Sequence, residues 1–294
     1  MQPSDPMQND IADLVDLDRY PIHDPKGRGR DLVMLCREQL GRIGASNLDG
    51  FLLPSAIEAM VAESKTLEPL AHRTRGNKGT AYLEPPDETL PEDHPRRRMQ
   101  TTSVGAIAYD LVPAKSPLRR LYESPVLLAF LAQALDKGPL YRYADPLGAL
   151  NIAVMGDGDH LMWHFDQTDF VVSLLLQDCD SGGDFEFVPN IRRLGEENYG
   201  KVKRLLDGDP SGVVRLDAKP GTLALFQGRY SIHRVSPIQG PTPRYIALLG
   251  YDTKPGTMSS DRLKQRRYGR IHPKGQEPAV ATAPALADSG SGGY

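Results

Sequence analysis

From Leu140 to Tyr251 the sequence is a succession of short runs rich in leucine, β-branched and aromatic residues, each closed by a turn signal. YRYADPLGALNIAVM, LMWHFDQTDFVVSLLLQ, DFEFVP, VVRLDAKPG, TLALFQG, SIHRVSPI and RYIALLGYD follow one another, with Gly182-Gly183, Asp207-Gly208 and Pro220-Gly221 between them. Asp184, Phe185, Glu186 and Phe187 alternate polar and apolar, the period of a half-buried strand. Many short strands in sequence must stack or close to bury their apolar faces. The pattern therefore predicts a mainly β protein with flanking helices, a double-stranded β-helix or jelly roll of the cupin type.

The rest of the chain supplies support for that core. Leu32, Leu35, Cys36, Leu40 and Ile43 recur at helical spacing, Pro54-Ser55 opens a second helix, and Pro125 divides SPLRRLYESPVLLAFLAQAL into two. One domain is expected over 28–272: helical support at 28–138, the jelly-roll core at 139–252 and a C-terminal helix at 258–270. The polar, proline-dotted stretch 1–27 reads as a flexible arm, and 273–294 as a disordered tail. His72 to His94 reads as an irregular loop, and Ile191 to Gly208 as a helical insert.

With 294 residues the chain can bury one large core. Its 35 basic and 38 acidic side chains leave a net charge of -3, which points away from nucleic acid and anionic membranes and towards a small-molecule partner. The two cysteines, Cys36 and Cys179, have neither disulfide-framework nor zinc-site spacing. No apolar run reaches the roughly 18 residues of a membrane helix. A soluble, cytoplasmic protein is expected.

His164 and Asp166 stand two apart at the head of a strand, so they point the same way and can offer a nitrogen and an oxygen to one ion. His233, after the strand-like GTLALFQG, is the candidate third ligand. Two histidines and one carboxylate make the facial triad that suits Fe(II) and leaves positions open. Arg244 begins the next strand, where a guanidinium can clamp a carboxylate through two parallel bonds, implying a dicarboxylic cosubstrate. A buried histidine alone is more often satisfied by hydrogen bonds than by a metal; the four residues together carry the assignment. His160 is placed in the preceding turn, and Trp163, alternating with His164, should point away into a core.

This pattern resembles the iron(II)- and 2-oxoglutarate-dependent oxygenases, at His164, Asp166, His233 and Arg244. WHFDQTDFVVSLLLQ, GGDFEFVPNIR and ALFQGRYSIHRVSP are similar to the group that hydroxylates or chlorinates free amino acids. The resemblance implies Fe(II) on the catalytic ligands His164, Asp166 and His233, with 2-oxoglutarate held at its distal carboxylate by Arg244. It further implies O2 as oxidant, ascorbate as reductant in vitro, and release of succinate and CO2. Related halogenases carry Gly or Ala where Asp166 stands, so the resemblance points to hydroxylation of a free amino acid, or to desaturation or cyclisation at the same iron, rather than chlorination. It also implies a substrate-binding arginine ahead of the jelly roll, for which Arg98 of Arg96, Arg97 and Arg98 is chosen, with Gln167 and Asn151 as further substrate contacts. The alternative from another class is a jelly-roll protein that binds a metal or small carboxylate without turnover.

Overall fold

The computed structural model describes residues 10–276. The helical half begins with α1 (Arg30–Ile43), which stops at Gly44, whose φ of 72° lets its N–H reach back to the Leu40 carbonyl. Next come β1 (Ala45–Leu48), α2 (Pro54–Leu67), β2 (His72–Gly79) and β3 (Gln100–Ile107). α3 (Pro117–Glu123) and α4 (Pro125–Ala134) each follow a serine cap: Ser116 Oγ accepts from the Arg119 N–H and Ser124 Oγ from the Val126 N–H. The Ser-Pro pair at 124–125 thus ends one helix and starts the next.

The β half continues with β4 (Tyr141–Arg142), β5 (Leu150–Met155), β6 (Leu161–His164), β7 (Val171–Gln177), β8 (Ser181–Gly182) and β9 (Phe185–Val188). After α5 (Tyr199–Leu206) come β10 (Val214–Arg215), β11 (Leu223–Phe226), β12 (Ile232–Val235), β13 (Ile238–Gln239), β14 (Arg244–Leu249), β15 (Tyr251–Asp252) and finally α6 (Asp261–Tyr268). Among the described residues two main antiparallel sheets result, one in the order β1-β11-β7-β14-β5-β3-β2, the other β10-β9-β12-β6, with two-stranded pairs β13-β8 and β15-β4 beside them. They make the jelly roll.

Alternation along the strands of the large sheet decides what each face does. Tyr245, Ala247 and Leu249 of β14, with Leu150, Ile152 and Val154 of β5, join Leu127, Phe130 and Leu131 of α4 in the principal core. Burial of each leucine, isoleucine, valine or phenylalanine among them contributes about 1.5–3 kcal/mol, so this layer fixes the sheet. Arg244, Ile246 and Leu248 must then face the other way, towards the small sheet. Register puts Met155 opposite Arg244 and Asn151 opposite Leu248, on that same face.

Three expectations are corrected. The stretch 1–27 is not an arm throughout: Ile11, Leu14, Val15 and Ile22 are buried in the principal core, and Val15 bridges Leu52. A few apolar anchors are enough to dock a segment that is polar on average. His72 to Gly79, read as loop, is the full strand β2, paired with β3 from His72↔Ala106 to Gly79↔Gln100. As the last strand of its sheet it can be polar on both sides, with Arg73 and Lys78 on one face and His72, Thr74 and Asn77 on the other, which hides the strand signal, and the charges also blunt the edge. The insert at 191–208 is helical only over α5, after a turn in which Arg193 pairs with Glu196. Of the expected tail, 277–294 lie outside the described residues.

Candidate metal centre

His164 ends β6 and His233 lies on β12, and the two are direct partners in the small sheet. Asp166 follows two residues after His164, its N–H donating to the Gly228 carbonyl. Ligand atoms of the three side chains all lie within 4.8 Å of one another. Asp166 Oδ1 is 3.9 Å from His164 Nε2, and Oδ2 is 3.6 Å from His233 Nε2, too far for hydrogen bonds but close around a common centre.

The backbone fixes which nitrogens face that centre. His164 Nδ1 lies 2.8 Å from the Met162 carbonyl and His233 Nδ1 3.0 Å from the Ser231 carbonyl. A carbonyl oxygen only accepts, so each Nδ1 carries the proton and each Nε2 turns a lone pair inward, the arrangement that orients metal-binding histidines. Phe226 packs edge-on against the His233 ring with centroids 4.8 Å apart, and Phe185 lies 5.5 Å away, walling off one side.

Burial, with the nearby His233, pulls the His164 pKa down to about 4, outweighing the opposing effect of Asp166. The imidazole is therefore neutral at neutral pH and ready to ligate. In the metal-free protein this depressed value has a stability consequence. Between an unfolded pKa near 6.5 and the folded value of about 4, the unfolded chain binds the extra proton, so stability rises with pH across that window and is lost as pH falls through it. The loss amounts to about 3 kcal/mol at most. Urea titrations of the metal-free protein at pH 7 and pH 5 should show it, and the difference should shrink in His164→Asn; an unchanged difference would locate the effect elsewhere.

The donor set fits a divalent cation. Asp166 Oδ2 is buried with no hydrogen-bond partner among the described residues, a situation that costs about 1–3 kcal/mol, more for a charge, unless a cation satisfies it. Gly228 makes the room: a Cβ there would lie 1.7 Å from Asp166 Oδ2.

A second unsatisfied group stands on the same face of the large sheet. Arg244 is 4% exposed, and among the described residues its Nε and Nη1 have no hydrogen-bond partner and its nearest carboxylate, Asp178, is 4.0 Å from Nε. Burial lowers its pKa from the usual arginine value. Gly183, at φ 67°, lets the chain pass close to it, since a Cβ there would be 3.2 Å from Arg244 Cδ. A buried, half-satisfied guanidinium calls for an anion.

The other sequence candidates lie differently. Arg98 is ion-paired to Asp207, at the end of α5, and is not gathered to the cluster. The Gln167 side chain is exposed, and its backbone carbonyl accepts from Arg229. Asn151 is buried on the site face, where its Oδ1 accepts from Arg267 Nη2 at 2.9 Å. Trp163 packs with Tyr82 and Phe165, with Arg234 4.8 Å above its ring. Sequence reasoning missed Arg267, which sits in a helix rich in basic residues, and Tyr143, whose phenol is pushed up to about 12 by burial together with the charges of Asp252 and Asp166. Neither has a local signature.

Fold and cluster together define a jelly-roll protein with a two-histidine, one-carboxylate site. The family model described as HalD, Halogenase D, matches residues 30–264, and the chain belongs to that family. Among curated proteins no sequence matches. Among solved structures, similarity extends to the non-heme alpha-ketoglutarate-dependent epimerase SnoN from nogalamycin biosynthesis, at 14% identity and TM-score 0.53, covering 76% of this chain and 81% of that one. The carbocyclase SnoK from the same biosynthesis has 14% identity and TM-score 0.52, covering 77% and 84%. AviO1 from Streptomyces viridochromogenes Tue57 has 18% identity and TM-score 0.50, covering 76% and 96%. At these identities the likeness is one of fold.

Proposed function

We propose that this chain is an Fe(II)- and 2-oxoglutarate-dependent dioxygenase, and that it hydroxylates an unactivated carbon of a free amino acid or similar small molecule. The observation that carries this reading is the orphaned Asp166 carboxylate facing two inward-turned Nε2 atoms, with the unsatisfied Arg244 on the same side of the sandwich. SnoN, of similar fold, has been solved with Fe3+ and alpha-ketoglutarate, which supports the pairing of metal and cosubstrate.

His164, Asp166 and His233 would hold the metal, a two-histidine, one-carboxylate donor set that suits Fe(II). Arg244 would take the distal carboxylate of 2-oxoglutarate, its burial excluding competing water. When bound, Fe(II) with 2-oxoglutarate and O2 supplies the power to remove hydrogen from an unactivated carbon, with succinate and CO2 as by-products. Phe185 and Phe226 keep the His233 side dry, and the two Nδ1–H bonds keep both rings from turning.

The family name raises chlorination as a second reading. Asp166 weighs against it, because its carboxylate fills the position that related halogenases leave to a halide. Desaturation and cyclisation need no change in the ligand set and differ only in the fate of the carbon after hydrogen removal.

Purified protein with Fe(II), ascorbate and 2-oxoglutarate, presented with free amino acids one at a time, should release succinate in response to a substrate and yield a product heavier by one oxygen. A product lighter by two hydrogens would replace hydroxylation by desaturation or ring closure. Binding of metal without any succinate would leave the non-catalytic binding protein.

A further inference from the structure

α6 lies against the site face of the large sheet. Tyr268 packs with Ala106 and Leu147, and the Thr74 hydroxyl donates to the Arg266 carbonyl at 3.2 Å. Ala106 is the register partner of Ala153, which alternates with Asn151 and Met155 on the face that carries Arg244. This helix therefore brings its side chains to the mouth of the metal centre.

Two of its half-buried cations have no counter-ion among the described residues. Arg266 and Arg267 are half-buried, and among the described residues neither has a carboxylate within 4.0 Å. Other arginines of comparable burial do: Arg192 pairs with Glu197, Arg234 with Glu186 and Arg270 with Asp110. Arg266 and Arg267 also repel one another, and Arg262 adds to the burden on Arg266, whose pKa is lowered chiefly by burial. The Arg266 guanidinium reaches Gly79, where a Cβ would lie 3.9 Å from Nη2 and 2.8 Å from Met162 Cε, next to the strand that carries His164. Arg267 reaches down to Asn151, which is buried on the face of the large sheet that carries Arg244. Adjacent, partly desolvated cations without an acid are an arrangement that an anion completes.

Asn151 gives the pair its direction. It holds Arg267 Nη2 at 2.9 Å while leaving the guanidinium's other N–H groups without a partner among the described residues. A guanidinium pinned at one nitrogen retains enough of its planar fork for a two-point grip on a carboxylate.

We propose that α6 is the substrate-recognition element of this centre: Arg267, oriented by Asn151, takes the carboxylate of the small-molecule substrate, and Arg266 is the second cation of the same mouth. The proposal rests on the oxygenase reading and deepens it. It assigns to the C-terminal helix the role that sequence reasoning gave to Arg98, whose charge is already met by Asp207. Arg244 remains the partner of the cosubstrate, so the two carboxylic acids are sorted to different arginines.

Calorimetry on the full chain tests this without turnover. The protein is loaded with Zn(II), which is redox-inert, and 2-oxoglutarate, then titrated with each of the proteinogenic L-amino acids and with the matching α-carboxamides. At least one acid should bind roughly tenfold or more tightly than its amide. Arg267→Gln should weaken that acid by a similar factor while 2-oxoglutarate affinity stays within about twofold. Asn151→Ala, which leaves the guanidinium in place but unpinned, should give a smaller loss, and it keeps the idea testable if Arg267→Gln folds poorly. Equal binding of acid and amide, unchanged acid affinity in both variants, or no acid binding at all would overturn the proposal. A fall in 2-oxoglutarate affinity in Arg267→Gln would overturn it too, by assigning Arg267 to the cosubstrate. Failure of the wild-type protein to bind 2-oxoglutarate would instead remove the oxygenase reading and this inference with it.

Discussion

Asp166→Ala is expected to abolish succinate formation and to weaken iron binding by at least about a hundredfold, since even changes to groups behind metal ligands cost 10–100-fold. Asp166 is the single anion of the three candidate ligands. Without it, two neutral imidazoles would face a dication with no charge to offset it. The same substitution should leave the metal-free fold as stable as before or more so, because Asp166 Oδ2 is buried without a partner and removing a buried unpaired charge relieves a penalty. The two histidine Nδ1 bonds run to backbone carbonyls and do not depend on the carboxylate. Iron titration, succinate assay and thermal melting of the metal-free protein check all three parts. Full turnover with iron in Asp166→Ala would make the ligand assignment wrong, whereas a sharp drop in the melting temperature of the metal-free protein would mean a structural role for the carboxylate.

The contrast between loss of function and retained fold follows from how the site is written in the chain. His164, His233 and Arg244 could be picked out because they sit at or next to strand ends, where alternation fixes direction and a polar residue in an apolar run stands out, and Asp166 because it follows His164 by two residues, just past the end of β6. The jelly roll was legible for the same reason, through its turn punctuation and period. What escaped the sequence depends on tertiary placement. β2 is polar on both faces because it ends its sheet, and the buried segment around Ile11 to Ile22 is anchored by side chains scattered among polar ones. Arg98 and Arg267 look alike in sequence, each within a run of basic residues. Only the fold shows that the first meets Asp207 and the second meets Asn151. Asp166 also depends on a partner no motif names, the bare Cα of Gly228.

Arg244→Lys is expected to raise the 2-oxoglutarate requirement by about 10–100-fold with a smaller effect on turnover at saturation. The charge survives, but an ammonium cannot reproduce the two parallel bonds of a guanidinium to one carboxylate. Losing one charge-assisted hydrogen bond, at about 1.5–3 kcal/mol, accounts for that range. Arg244→Met separates recognition from folding. Arg244 is 4% exposed, packed near Ile238 and Cys179 beside Gly183, with two nitrogens unsatisfied. An apolar chain of similar length should therefore be accepted by the fold, holding or raising the melting temperature of the ligand-free protein while 2-oxoglutarate binding is lost. A parallel series in KM for 2-oxoglutarate and in melting temperature distinguishes the outcomes. If Arg244→Lys changed the requirement for the amino acid and left that for 2-oxoglutarate alone, the two arginines would have to exchange roles, with Arg267 serving the cosubstrate. If Arg244→Met unfolded the protein, the buried guanidinium would be part of the scaffold, and its orphaned nitrogens could no longer be read as waiting for a ligand.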